Sequence, residues 1–419
     1  MLWANKLLSK IENSLVVLKQ SDFRILAFAI LVSGAGSALV PIAFAIETTR
    51  VEERGWGLVC VMIGLWIGRF LGMIIYKSVG FNFHPLQIMI ISSLGMGLAQ
   101  ICLLFWIWLF SNGILAMSIS SLFYGFAAAF FKPSTFVSIP IMMSENLHQQ
   151  ANSILSIIGD TYAIMGPLLG AALTIGLGFE FVLMFDGITF FITIILLKIL
   201  YLRRNSENNN LEKDKLKVEN KFALNDFNYF PVWTYLGLLS WLFCSLAIGI
   251  IGVAGPTLIM ANFSETAWAF VATFMAAGSL LGSTTSLLGL TQKIQWSILH
   301  LLCGLGLGIQ LVVLNFSNTI WVVCFVVFLG AMSVTISGIR WDTVNQSAFT
   351  GRKLHVFASL DQFANNIGIP TGIILFGIAG IMDFKEPMIT VVGVLAFVFT
   401  IPVFLCSIFK VRFHAKKSS

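Results

Sequence analysis

The sequence predicts an all-α membrane protein of twelve transmembrane helices, arranged as two pseudo-symmetric six-helix bundles. Three observations carry that reading. The chain is 58% hydrophobic and only 11% charged, with a mean hydropathy of +0.91, whereas a soluble domain carries about 25% charged residues to cover its water-facing surface. Apolar runs of about 20 residues, the length that crosses hydrocarbon, recur twelve times along the chain. One long hydrophilic insert, RRNSENNNLEKDKLKVENKFALND, divides those runs six and six.

Taken in order, residues 1–22 are too polar for a cleavable signal, and no small-residue cleavage site follows an apolar core. Trp3, Leu7, Leu8, Ile11 and Leu15 share one side of a helix, which suits either a surface-lying cytoplasmic segment or a solvated tail. The predicted spans are 23–46, 57–76, 85–109, 114–143, 150–175 and 178–200, then 231–255, 265–290, 296–316, 319–349, 354–380 and 387–410. The organisation is an N-terminal bundle over 23–200, a cytoplasmic loop over 201–230, a C-terminal bundle over 231–410 and a tail over 411–419.

Orientation follows from the basic residues. With the N-terminus in the cytoplasm, nineteen of the 25 lysines and arginines fall on that side, three (Arg50, Arg54, Lys385) fall outside, and Arg69, Lys132 and Arg340 lie within spans. That bias places both termini and the central loop in the cytoplasm; the expected location is the inner cell membrane. The bias also accounts for the net charge of +6 without nucleic acid. Six cysteines lie in apolar runs without metal-ligand spacing and read as packing residues.

The two halves read as distant repeats. Gly125, Leu147-His148 and Ala151 are echoed by Gly330, Leu354-His355 and Ala358, and Pro167/Gly170 correspond to Pro370/Gly372. Glycines spaced by four stand at Gly64/Gly68/Gly72, Gly166/Gly170, Gly278/Gly282 and Gly368/Gly372, in spans 2, 5, 8 and 11, with an extra pair, Gly304/Gly308, in span 9. Such stripes let helix backbones approach closely in lipid.

Asp22-Phe23-Arg24 before span 1, Ser33 and Gly36 within it, and Pro133-Ser134 with Pro140 in span 4 form one set of motifs. The Leu147…Ala151-Asn152-Ser153 turn, Gly166-Pro167…Gly170, Asp186-Gly187…Thr189-Phe190-Phe191 and Gln346…Gly351-Arg352 form another. Their order resembles the major facilitator superfamily, nearest its twelve-helix drug and siderophore efflux branch of proton antiporters. The resemblance implies that spans 1, 4, 7 and 10 line a central cavity and that spans 2, 5, 8 and 11 form the faces between rocking halves, where the glycine stripes would serve as a sliding surface. It implies structural and gating roles for Gly72, Gly80, Gly166, Pro167, Gly170, Asp186, Pro370 and Gly372. Two departures stand out. The family's acidic residue after span 2 is replaced in Gly72…Tyr76-Lys77…Gly80, and Tyr162 stands at the first glycine position of the span 5 motif.

Charges deep in the spans are the candidate functional groups, because each is costly there without a partner or water. Arg69 and Asp160 lie roughly 18 and 15 Å into their helices, near the middle of a ~30 Å core. Asp160 is either a protonatable coupling residue modulated by Arg69 or half of a fixed ion pair with it. Asp361, shallower in span 11, is a further coupling candidate, or a gate. Lys132, Arg340 and Asp342 are substrate-cavity candidates. Two cations on the cavity wall would favour an anionic solute; the alternative is structural pairing with Asp342, Asp361 or a carbonyl. Arg340 and Asp342, two residues apart, point to different sides of the helix and do not suit each other as partners. His300 reads as a packing histidine; the aromatics read mostly as lipid-facing or core residues, and nothing in the sequence selects Trp233, Trp241 or Tyr235 for a cavity entrance over those roles.

The chain has no P-loop and no catalytic or metal-ligating cluster. The expectation is a non-enzymatic secondary transporter without cofactors, driven by the proton gradient, monomeric in the bilayer, with a small-molecule substrate. It would export an amphiphilic or anionic metabolite of the siderophore or antibiotic class by alternating access. The alternatives are an importer of an organic anion or siderophore, and a transport-incompetent sensor or scaffold.

Overall fold

A computed structural model describes residues 15–52, 56–110, 113–207 and 230–408. The amphipathic face proposed for the extreme N-terminus, most of the central loop and the C-terminal tail lie outside the described residues. Among those described, twelve helical spans are long and apolar enough to cross a membrane, and no strand occurs. They run Ser21–Val51, Trp56–Asn82, Pro85–Phe110, Ile114–Met142, Glu145–Leu177 and Phe179–Ser206. The second six are Val232–Asn262, Thr266–Leu287, Trp296–Phe316, Ile320–Ala348, Gly351–Ile381 and Lys385–Ile408. We number them spans 1–12.

Span 7 runs seven residues further than its apolar pattern suggests, because the helix continues through Pro256. The helix of span 4 likewise continues through Pro133 and Pro140. Spans 1 and 12 are broken instead. Span 1 divides into Ser21–Ser37 and Val40–Val51, and span 12 into Lys385–Val398 and Ile401–Ile408. In each case a proline, Pro41 or Pro402, enters the first turn of the second piece, where its missing N–H costs nothing.

The chain forms two compact units, Met1–Phe222 with Phe349–Gln362, and Ala223–Ala348 with Phe363–Ser419. The opening turns of span 11 group with the first unit through specific contacts. The Tyr76 hydroxyl meets His355 Nδ1 at 3.4 Å, the Arg352 guanidinium stacks 4.4 Å from the centre of the Phe81 ring, and Phe136 lies 5.6 Å from Phe357.

The glycine stripes are used inside each unit, which corrects their expected role as a sliding surface between halves. A Cβ at Gly64, Gly68 or Gly72 would run into the span 4 carbonyls of Ser118, Leu122 and Phe126. Gly166 and Gly170 back onto the carbonyls of Ala38 and Leu39 at the break in span 1. In the second unit, Gly278 and Gly282 back onto Phe328 and Met332 of span 10, and Gly368 and Gly372 onto Leu242 and Leu246 of span 7. The pairings 2–4 and 5–1 thus recur as 8–10 and 11–7, the same close approaches shifted by six helices. The physical reason is that a backbone-to-backbone seam suits helices that stay together, since every glycine is matched to one particular carbonyl.

Candidate functional site: a buried polar network in the first unit

Asp186, in span 6, is fully buried. Its Oδ2 accepts a hydrogen bond of 2.9 Å from Gln100 Nε2 of span 3. Its Oδ1 lies 3.4 Å from the Ser37 hydroxyl of span 1, which also donates to the Ser33 carbonyl at 2.9 Å, so one proton is shared between two acceptors. The Tyr124 hydroxyl of span 4 donates to the same Ser37 oxygen at 3.1 Å. The Arg69 charge, on span 2, lies within electrostatic reach of Tyr124. Four of the six spans of the first half therefore send one polar side chain each to a single chain of contacts.

Local structure explains how this assembles. Ser37 is the last residue before the break in span 1, so its hydroxyl stands where the helix stops. Gly36 beside it leaves room for Asp186: a Cβ there would clash with the carboxylate and with the Thr189 hydroxyl. Thr189 in turn donates to the Asp186 carbonyl at 2.7 Å. Asp186 sits about 10 Å along its helix from Phe179, at 1.5 Å per residue. A carboxyl at that depth has no bulk water to solvate it, and its donors come from the neighbouring spans. Gln100 Oε1, also buried, accepts no hydrogen bond from the described residues.

The other candidates are dispersed. Arg69 lies over the Trp66 ring, 5.1 Å from its centre. Span 2 packs on span 4 while span 5 packs on span 1, so Arg69 and Asp160 stand on helices held to different neighbours. Asp160 is half-buried, with the Ser156 hydroxyl 3.5 Å from its Oδ2. Asp361 is buried, with Gln362 Nε2 at 3.5 Å from its carboxylate. Lys132 is exposed on span 4, two residues beyond Phe130. Arg340 is half-buried and donates to the Ile294 carbonyl at 3.4 Å, and Asp342, on the same helix, is half-buried. Gly80 packs against the Tyr76 ring, and Pro167 and Pro370 sit inside continuous helices.

In the second unit His300 is fully buried. It bonds Ser240 through Nε2 at 2.7 Å and Ser337 through Nδ1 at 3.1 Å, and it stacks on Trp296 with centroids 4.9 Å apart. Trp233 and Trp241 are buried in the same aromatic cluster. Of the roles the sequence left open, Trp233 and Trp241 therefore fill the core, and of the three aromatics Tyr235 alone is exposed.

Two features escaped the sequence reading. Asp22, beside Phe23 and Arg24, pairs with Arg204 at 3.0 Å and Arg203 at 3.6 Å, tying the start of span 1 to the end of span 6. Arg204 also donates to the Ile141 carbonyl at 2.9 Å. Gln100 and Tyr124 carried no signal of their own, since an amide and a phenol in apolar runs are ordinary.

Residues 25–373 match the Major Facilitator Superfamily. The chain belongs to that superfamily. The twelve-helix fold agrees with solved structures. A bacterial homologue of the iron transporter ferroportin, in an outward-facing state, is 16% identical, with a TM-score of 0.75 over 92% of this chain and 98% of that one. The human organic anion transporter MFSD10 (TETRAN) is 12% identical, with a TM-score of 0.68 over 91% of this chain and 98% of that one. At such identities the likeness is one of fold. No curated protein sequence matches the chain. This superfamily member is therefore a multi-pass membrane protein of a family of secondary transporters, not of enzymes.

Proposed function

We propose that this transporter exports a small amphiphilic or anionic metabolite in exchange for protons, and that the Asp186 network is its proton-linked element. The observation that carries the proposal is the enclosed carboxyl itself. Asp186 is held by donors from spans 1 and 3, and through Ser37 it is connected to Tyr124 and to the break in span 1. Adding a proton to that carboxyl removes an acceptor and supplies a donor, for which the buried Gln100 Oε1 is an available acceptor. The two protonation states thus favour different hydrogen-bond patterns among the same helices, which is what linkage between a proton and a conformational equilibrium requires.

Lys132 supports the anionic substrate class. It is an exposed cation roughly 15 Å from the end of span 4 at Met142, and no hydrogen bond or ion pair engages it among the described residues. The siderophore or antibiotic class remains the substrate reading because of the efflux-like motifs.

The deciding experiment uses reconstituted vesicles of both orientations with an imposed pH gradient. Solute movement driven by that gradient, and abolished by an uncoupler, is expected for the wild type. Asp186→Asn is expected to permit downhill movement but not accumulation. If Asp160→Asn uncouples transport while Asp186→Asn does not, coupling belongs to Asp160 and the proposal is wrong. Accumulation only in the inward orientation would make the protein an importer.

A further inference from the structure

An apolar groove of about 750 Å³ runs between spans 3 and 4 on the surface of the first unit. Its floor is made of small residues, Ser92, Gly95, Ala99, Ser120 and Ala127 among them, and its walls of large ones such as Ile91, Trp106, Phe123 and Phe130. The floor offers no free polar group to water, because Ser92 donates to the Ala127 carbonyl at 2.8 Å and Ser120 to the Ala99 carbonyl at 2.9 Å. These bonds also hold the two helices together, so the groove is a built feature of the fold. Along span 3 the lining runs from Ile88 to Trp106, about 27 Å at 1.5 Å per residue, which is longer than one ~15 Å leaflet.

One end of the groove is chemically distinct. It finishes at Val79, Gly80 and Phe83, where span 2 turns into span 3. Lys77 is exposed two residues from Val79, and Arg352 lies over the ring of Phe81 in the same turn. His84 follows directly. The other end, at Trp106 and Gly113, has no comparable basic cluster among the described residues. An apolar slot with cations at one mouth is complementary to one kind of molecule, an amphiphile with an anionic head and a long hydrocarbon tail.

We infer that this groove binds an anionic phospholipid, with one acyl chain lying between spans 3 and 4 and the phosphate held near Lys77 and Arg352. The lipid is a ligand of the first unit, separate from the Asp186 network. Its acyl chain would cover the outer edges of Gly95 and Ala99, at the level where Ser92 and Ser120 cross-link the helices.

The test is native mass spectrometry of the purified full-length protein, incubated with phosphatidylglycerol or with phosphatidylcholine of the same chains. The wild type is expected to retain phosphatidylglycerol preferentially. Lys77→Gln is expected to lower that preference roughly five-fold, as loss of one juxtamembrane cation does, and to leave phosphatidylcholine binding unchanged. Ile91→Trp, which fills the groove from an exposed lining position in the half nearest Lys77, is expected to lower binding of both lipids by roughly tenfold or more. Leu98→Trp, at an exposed lining position about 15 Å along span 3 from Ile88, gives the same readout should Ile91→Trp fail to yield monodisperse protein. Equal retention of the two lipids by the wild type would overturn the inference, as would undiminished binding in both tryptophan variants. A dimer that the tryptophan variants dissolve would assign the groove to a second copy of the chain and overturn it as well.

Discussion

Replacing Asp186 by alanine tests the network most directly, because the structure says what each lost contact leaves behind. Two donors face the carboxyl, and their fates differ. The Ser37 hydroxyl keeps its 2.9 Å bond to the Ser33 carbonyl, so losing the longer 3.4 Å contact to Asp186 leaves it satisfied. Gln100 Nε2 has Asp186 as its acceptor at 2.9 Å and is buried, so it is orphaned. An orphaned buried donor costs about 1–3 kcal/mol, and the void left by the carboxyl adds about 1 kcal/mol. Because inter-helical hydrogen bonds in bilayers are worth only about 0.6–2 kcal/mol, the expected total is about 2–3 kcal/mol. Asp186→Asn retains an acceptor for Gln100 Nε2 and adds a donor that Gln100 Oε1 can accept, so its expected cost is below about 1 kcal/mol. The assay is reversible unfolding in mixed micelles, with midpoints compared between the two variants. Alanine as stable as wild type, or asparagine as damaging as alanine, would refute the reasoning that Asp186 is held by these particular bonds.

Gly68→Leu should be among the most damaging single changes in span 2, since its Cβ would meet the Leu122 carbonyl and Phe126 amide, both rigid backbone; overpacking of about 3 kcal/mol or more should show as loss of folded protein in micelles. At the start of span 1, Arg204→Met should destabilise by about 1–3 kcal/mol through loss of a largely buried ion pair and the Ile141 bond, whereas Arg203→Met, at a 46% exposed side chain, should cost under about 1 kcal/mol; denaturation midpoints distinguish them. Lys132→Gln should raise the KM for an anionic solute roughly tenfold in vesicle uptake while leaving a neutral analogue unaffected, since a charge-assisted contact is worth about 1.5–3 kcal/mol.

Hydropathy and charge already determined that the chain is a twelve-span, all-helical membrane protein, because lipid leaves a spanning segment no choice but to bond its backbone internally. The span ends read from sequence lie within six residues of those in the structure, apart from the end of span 7, which misses by seven because the helix continues past Pro256. Prolines are ambiguous in lipid, since neighbouring helices can re-satisfy the freed carbonyl; Pro133 and Pro256 are carried within helices while Pro41 and Pro402 begin new ones. The motif carrying Asp186 was legible, as was the cost of any charge in a span. Which charges meet was not. Arg69 and Asp160 share a depth, but depth is a one-dimensional coordinate, and the lateral order of helices decides contact. The glycine stripes show the same limit. Their spacing announces close approach, yet only the packing of span 2 on span 4 and span 5 on span 1 names the partner. Gln100, Ser37 and Tyr124 become a network with Asp186 solely because four helices bring them to one point, and no residue spacing along the chain encodes that convergence.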